Sequence, residues 1–71
     1  MEYKVTIRFY LDGEYENSED YNVEIPNDTT EDDTMEALMD ATRPILNDEF
    51  EGNEDWEDGN YTWELNDFTK L

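Results

Sequence analysis

Tyr3-Lys4-Val5-Thr6-Ile7-Arg8-Phe9-Tyr10-Leu11 decides the fold. Tyr3, Val5, Ile7, Phe9 and Leu11 alternate with Lys4, Thr6, Arg8 and Tyr10, and successive side chains of a strand point to opposite faces, so residues 3 to 11 read as a half-buried strand. The same period returns at Tyr21, Val23 and Ile25, where Pro26 closes a second strand over residues 19 to 25. Asp12-Gly13 has the composition of a two-residue hairpin turn, but pairing outward from it sets Ile7 opposite Ser18 and mixes apolar with acidic residues on one face. Pairing Phe9 with Tyr21, Ile7 with Val23 and Val5 with Ile25 keeps one face apolar. The connection is therefore expected to be a longer loop over residues 12 to 18, or to contain a bulge.

Beyond Pro26 the period changes from two to three and four. Met35, Leu38, Met39, Thr42, Ile45 and Leu46 form the expected buried stripe of a helix over residues 30 to 46, with Thr30 as its cap and Glu31, Asp32 and Asp33 in its first turn. Pro44 is expected to kink or end that helix. Residues 47 to 60 carry seven acids and two glycines and read as a loop, after which Tyr61, Trp63 and Leu65 open a third strand over residues 61 to 68. Strand, strand, helix, strand predicts a single α+β domain spanning residues 1 to 71. A crossover through the helix sets the last strand beside the first, giving a three-stranded antiparallel sheet in order 2-1-3 with the helix on one face. The other face, with Lys4, Arg8, Tyr10, Asn22, Glu24, Thr62 and Glu64, is left to water, and Lys4 and Arg8 are expected to neutralise Glu24 and Glu64.

Composition sets the functional reading. Twenty-two Asp and Glu against four Lys and Arg give a net charge of -18 in 71 residues. Leu, Ile, Val and Phe number 13, a share at which a highly charged chain is usually disordered. Ten aromatic residues at structured periods are what argue for a fold, since each buries a large area. With no Cys or His, there is neither a disulfide framework nor a thiolate or imidazole metal site. The start of the chain lacks a basic and apolar leader, so a cytoplasmic setting is expected. Anionic membranes and nucleic acid both repel such a chain, and its partner should be basic.

Carboxylate pairs suited to acid and base catalysis occur everywhere, so none is singled out. No phosphate loop or nucleophile elbow accompanies them, and the chain reads as a non-enzyme without cofactor. The segment Asn47-Asp48-Glu49-Phe50-Glu51-Gly52-Asn53-Glu54-Asp55-Trp56-Glu57-Asp58 approaches a calcium loop through Gly52. It departs through Glu at the third and fifth positions, Asp at the last, and a strand following it, so no metal site is assigned. Expected partner-binding residues are Glu31, Asp32, Asp33, Glu36 and Asp40 along the helix, and Asp48, Glu49, Glu51, Glu54, Asp55, Glu57 and Asp58 in the loop. Trp56 joins them as an aromatic that either anchors the loop or meets the partner.

Carboxylates spaced about 6.6 Å apart along strands and about 5 to 6 Å along a helix approximate the spacing of phosphates on a nucleic-acid strand. In size, charge and mixed α/β character the whole chain resembles the small DNA-mimic inhibitors of phages and mobile elements, of anti-restriction, anti-CRISPR or glycosylase-inhibitor type, though no sequence motif is shared. The resemblance implies occlusion of the basic nucleic-acid-binding surface of a nuclease, CRISPR effector, restriction enzyme or repair enzyme, by a monomer or homodimer. Two other readings fit the composition: an acidic antitoxin, immunity protein or other modulator of a basic protein, and a halophilic domain that needs molar salt to fold.

Overall fold

The computed structural model describes all 71 residues. β1 (Glu2–Leu11) is the centre of a three-stranded sheet, flanked by β2 (Glu14–Glu24) and β3 (Tyr61–Lys70) in order β2-β1-β3, both antiparallel to it. A single 3₁₀ turn (Glu31–Asp33) leads into α1 (Thr34–Glu49), and a one-turn helix, α2 (Glu54–Glu57), precedes β3. The α+β class, strand order and helix-on-sheet arrangement are those read from the sequence.

The alternation in β1 does most of the folding. Tyr3, Val5, Ile7 and Phe9 supply half of an eight-residue core, completed by Val23 and Ile25 near the end of the hairpin and Leu38 and Leu46 on the helix. No helix is long and apolar enough to cross a membrane.

Several details differ from the sequence reading, each for a physical reason. The hairpin connection is the two-residue turn after all: Asp12 and Gly13 both have positive φ, 51° and 84°, the twist that suits antiparallel strands. A bulge reconciles it with an apolar face. Tyr10 pairs with Tyr15 and Phe9 with Asn17, leaving Glu16 as the extra residue, so that Val5 faces Tyr21 and Tyr3 faces Val23. The expected pairing is thus displaced by an even number of residues, which preserves the side to which Tyr21, Val23 and Ile25 point. The consequence is that Asn17 and Glu19 share the apolar face with Phe9 and Ile7. Both sit on an edge strand, and tyrosine hydroxyls satisfy them: Tyr61 donates to Asn17 at 3.4 Å and Tyr21 to Glu19 at 2.8 Å.

A second bulge lies in β3, where Thr6 faces Asp67 and Ile7 faces Leu65. It moves the apolar side from odd to even positions, so Phe68 joins Tyr61, Trp63 and Leu65 on the helix side, and the strand runs on to Lys70 rather than ending at residue 68. Pro44 does not stop the helix. Its missing N–H leaves the carbonyl of Asp40 without its helical partner, but Asp40 is exposed and the loss is not buried, and the helix continues to bury Leu46 and to place Phe50 5.3 Å from Phe9. Residues 47 to 60 are consequently part helix, part loop.

Thr30 does not cap through its side chain; its hydroxyl donates to Asp33 at 3.1 Å instead. The helical stripe is also rotated from the expected one. Thr34, Leu38, Thr42 and Leu46 are buried and Ala37 and Ala41 pack on the core, whereas Met35 and Ile45 are 51% and 37% exposed, and the half-buried Met39 stays off the core. Small side chains on this side let the helix approach β2 closely, and the methionines are left on its other flank. Thr42 is accommodated in the core because its hydroxyl donates to the carbonyl of Leu38 at 2.7 Å.

Candidate functional site

Every carboxylate in the chain is on an exposed residue. Compensation is nearly absent: the one ion pair within 4 Å joins Arg43 to Asp40 at 3.0 Å on the helix surface. Arg8 lies opposite Glu64 across the sheet, but neither it nor Lys4 forms the expected close ion pair with Glu24 or Glu64. Lys4 lies between Asn22 and Thr69, and Glu64 instead accepts a 2.6 Å hydrogen bond from Tyr10.

Between β2 and β3, residues 25 to 60 carry 13 acids and one cation, Arg43, so 12 of the 18 net charges come from this segment. The fold divides them. Glu31, Asp32, Asp33 and Glu36 stand at the start of α1, near the end of the sheet that holds Met1 and Ile25, which are joined by a 2.9 Å backbone bond. Asp48 to Asp58 stand at the opposite end, and Asp40 lies between; a helix of this length separates the two groups by roughly 24 Å.

Four aromatic rings hold the far group in place. Phe50 lies against Phe9 and stacks on Trp56 at 4.8 Å and 11°, while Tyr61 approaches Phe9, Phe50 and Trp56 at 5.2 to 6.3 Å. The Trp56 indole N–H donates to Asn47 at 3.3 Å, and Asn53 caps α2 by accepting from the Trp56 amide at 3.0 Å. Trp56 is therefore the anchor that fixes the acidic segment, with one edge left at the surface.

Sequence reasoning missed that the hairpin delivers acids to this same end. The amide of Asp12 donates to the carbonyl of Asn60 at 2.9 Å, which ties the hairpin turn to the start of β3. Glu16, Glu19 and Glu49 then surround two tyrosines. The single Tyr21 hydroxyl proton is offered to Glu49 at 2.6 Å and Glu19 at 2.8 Å. Burial together with those hydrogen bonds and nearby negative charges pushes the Tyr21 hydroxyl pKa upward, and burial followed by the charges of Glu16, Glu19 and Glu49 does the same to Tyr61. The only signal in the sequence was a tyrosine at the polar end of each apolar alternation.

A raised tyrosine pKa has a definite consequence for stability. The folded chain holds these protons after the unfolded chain has released them, so the contribution is whole below the unfolded value near 10 and is lost as pH rises above it. Unfolding followed by circular dichroism should therefore show stability declining above about pH 10, and Tyr21→Phe should make that decline shallower. An equal decline in both proteins would exclude Tyr21 as a contributor.

The uncompensated charge predicts the effect of salt. Added NaCl screens repulsion between surface carboxylates, so the melting temperature should rise by several degrees between low and physiological ionic strength. A melting temperature indifferent to salt would mean that repulsion is not limiting.

The surface has no pocket, and nowhere do three or more carboxylates converge closely enough to hold a metal ion. What the arrangement offers is a convex, anionic, hydrogen-bond-accepting surface on a folded support. No protein-family model matches this chain, and neither the curated proteins nor the solved structures contain a match.

Proposed function

We propose that this protein is an acidic DNA mimic that binds and blocks the basic nucleic-acid-binding surface of a host defence or DNA-processing enzyme. The observation that carries the reading is linear charge density. The fold is elongated, 37 × 20 × 18 Å, and carries a net charge of -18; 37 Å divided by 18 is about 2.1 Å per net charge. Double-stranded DNA has one charge per about 1.7 Å of axis. A cationic groove built to accept duplex phosphates therefore meets a comparable field from this protein, on a scaffold that presents nearly every carboxylate to solvent without an intramolecular cation.

Lys and Arg side chains of the groove exchange phosphate oxygens for carboxylate oxygens, and the inhibitor gains both steered encounter and charge-assisted hydrogen bonds. The thirteen proposed partner-binding residues are those named from the sequence, with Trp56 acting as the support for its neighbours, and Glu14, Glu16 and Glu19 extend the same end of the surface. Immobilised protein incubated with host lysate should retain a basic nucleic-acid-binding protein, and duplex DNA or the enzyme's own nucleic-acid substrate should release it competitively. Retention of a partner that nucleic acid leaves in place would overturn mimicry and favour an antitoxin or immunity role.

A further inference from the structure

The two edges of the sheet are not equivalent. On β3 a bulge interrupts the strand at Asn66, and the Phe68 amide already donates to the Asp67 carboxylate at 2.9 Å, so that edge is broken midway. On β2 the ladder to β1 runs without interruption from Asn17 to Glu24, beyond the bulge at Glu16. Alternate backbone N–H and C=O groups of such a strand point away from its one neighbour, and no backbone or side-chain hydrogen bond within the chain takes them up. These residues make a continuous open edge of about 27 Å.

The side chains beside this edge are anionic on both faces of the sheet. Asp20 and Glu24 stand on the open face, where the Thr6 hydroxyl donates to Asp20 at 2.7 Å. Glu19 stands on the helix face, and the Tyr21 hydroxyl that reaches it at 2.8 Å also reaches Glu49 of α1 at 2.6 Å. With Glu14 and Glu16, β2 carries five acids and no cation, whereas β3 with Glu64, Asp67 and Lys70 has a net charge of -1. Val23 is the one buried side chain of β2, so the edge offers an incoming strand backbone groups and carboxylates but no apolar surface.

We propose that the edge of β2 over residues 17 to 24 binds an extended Lys- and Arg-rich segment of a partner protein, which adds to the sheet as a fourth strand. Charge selects this occupant. A second copy pairing here would set five acids against five, and acidic side chains on an edge are a means of refusing such self-association. An amphipathic strand finds nothing apolar to cover. A strand with cations on both faces meets opposite charge on each side, and cross-strand pairs of opposite charge are favourable. Backbone bonds to the edge supply affinity that is indifferent to sequence, while the flanking carboxylates supply the preference for a basic guest. A flexible basic segment takes up order on binding. The contact stands whether or not the partner also binds nucleic acid, so it does not depend on mimicry.

Backbone pairing can be separated from charge attraction with two synthetic peptides of equal charge. One alternates lysine and threonine over the length of the edge; the other has the same sequence methylated at every backbone amide, which keeps the cations and removes the strand donors. Titrated into the whole chain, the first should move the amide resonances of residues 17 to 24, and the second should bind at least about tenfold more weakly, since several hydrogen bonds are lost together. The double variant D20K/E24K, altered only at exposed positions, should lose the first peptide while keeping the wild-type circular dichroism spectrum. Equal binding of the two peptides overturns the proposal, because charge alone would then account for it. Resonance changes confined to residues 31 to 36 or 48 to 58 overturn it as well, as does undiminished binding by D20K/E24K or no binding of the first peptide at low salt.

Discussion

Phe9→Ala should leave most of the protein unfolded at 37 °C. Phe9 is fully buried at the centre of β1, against Phe50 at 5.3 Å and Tyr61 at 5.7 Å. Removing such a ring typically costs about 3 to 5 kcal/mol through lost burial and the cavity that remains. A chain of this length has about 4 to 11 kcal/mol of stability at ordinary per-residue values, and repulsion among its carboxylates pushes it toward the lower end. There are only eight buried apolar residues over which to spread the loss. The expected fall in melting temperature is at least about 12 °C, taking 4 to 8 °C per kcal/mol for a domain of this size. Because Phe9 also seats Phe50 and through it Trp56, the acidic segment should lose order with the core. Thermal melting followed by circular dichroism reads the first effect and Trp fluorescence the second. Phe68→Ala, at a partly exposed position, should cost far less; equal losses at the two sites would mean that the core is not centred on β1.

Neutralising Asp48, Glu49, Glu51, Glu54, Asp55, Glu57 and Asp58 together, as Asn and Gln, should have the largest effect on partner binding. Seven of 18 net charges disappear from one end of the molecule while the amide side chains keep the hydrogen-bond acceptor on Tyr21. Electrostatic steering raises association rates by about 10- to 1000-fold, so the association rate with the captured partner should fall by a comparable factor. The fold should be retained, with a melting temperature equal to or above that of the parent, because the replaced side chains are exposed and mutually repulsive. Neutralising Glu2, Glu24, Glu64 and Asp67 on the open sheet face should weaken binding less, since Lys4 and Arg8 share that face and lower its net charge without pairing closely to those acids. Undiminished association of the seven-residue variant would place the contact elsewhere.

How much of this was legible in the sequence follows from which interactions are local. The alternation of Tyr3 to Leu11 is a property of consecutive residues, and it yielded the central strand, the core and the layer arrangement. The two bulges, at Glu16 and Asn66, are settled by competition between strands, and no local pattern announces them. The Asp12-Gly13 turn is recognisable in the sequence, yet a regular ladder from it has the wrong faces; one extra residue resolves that conflict. The intrinsic cost of Pro44 predicts a break, whereas burial of Leu46 and the Phe50 contact with Phe9 outweigh it. Hydrophobicity alone places Met35 and Ile45 in the core, but Thr34, Leu38, Thr42 and Leu46 take the inward positions, flanked by the small Ala37 and Ala41.

The candidate site was legible as composition and only partly as geometry. The acids of residues 48 to 58 were expected in a loop, and the stacked Phe50 and Trp56 rings are what give them fixed positions. That Glu16 and Glu19 join Glu49 around Tyr21 and Tyr61 depends on the bulged register and on the Asp12 to Asn60 bond, both of which connect residues far apart in the chain.

The central claim is that a folded array of uncompensated carboxylates engages a cationic nucleic-acid groove. Its most direct test is the dissociation constant of the captured complex measured between 50 and 200 mM salt. Affinity should fall by about tenfold or more over that range, bounded above by the roughly 10³ to 10⁵ seen when proteins bind true phosphates. A dissociation constant that does not change with salt would contradict the account.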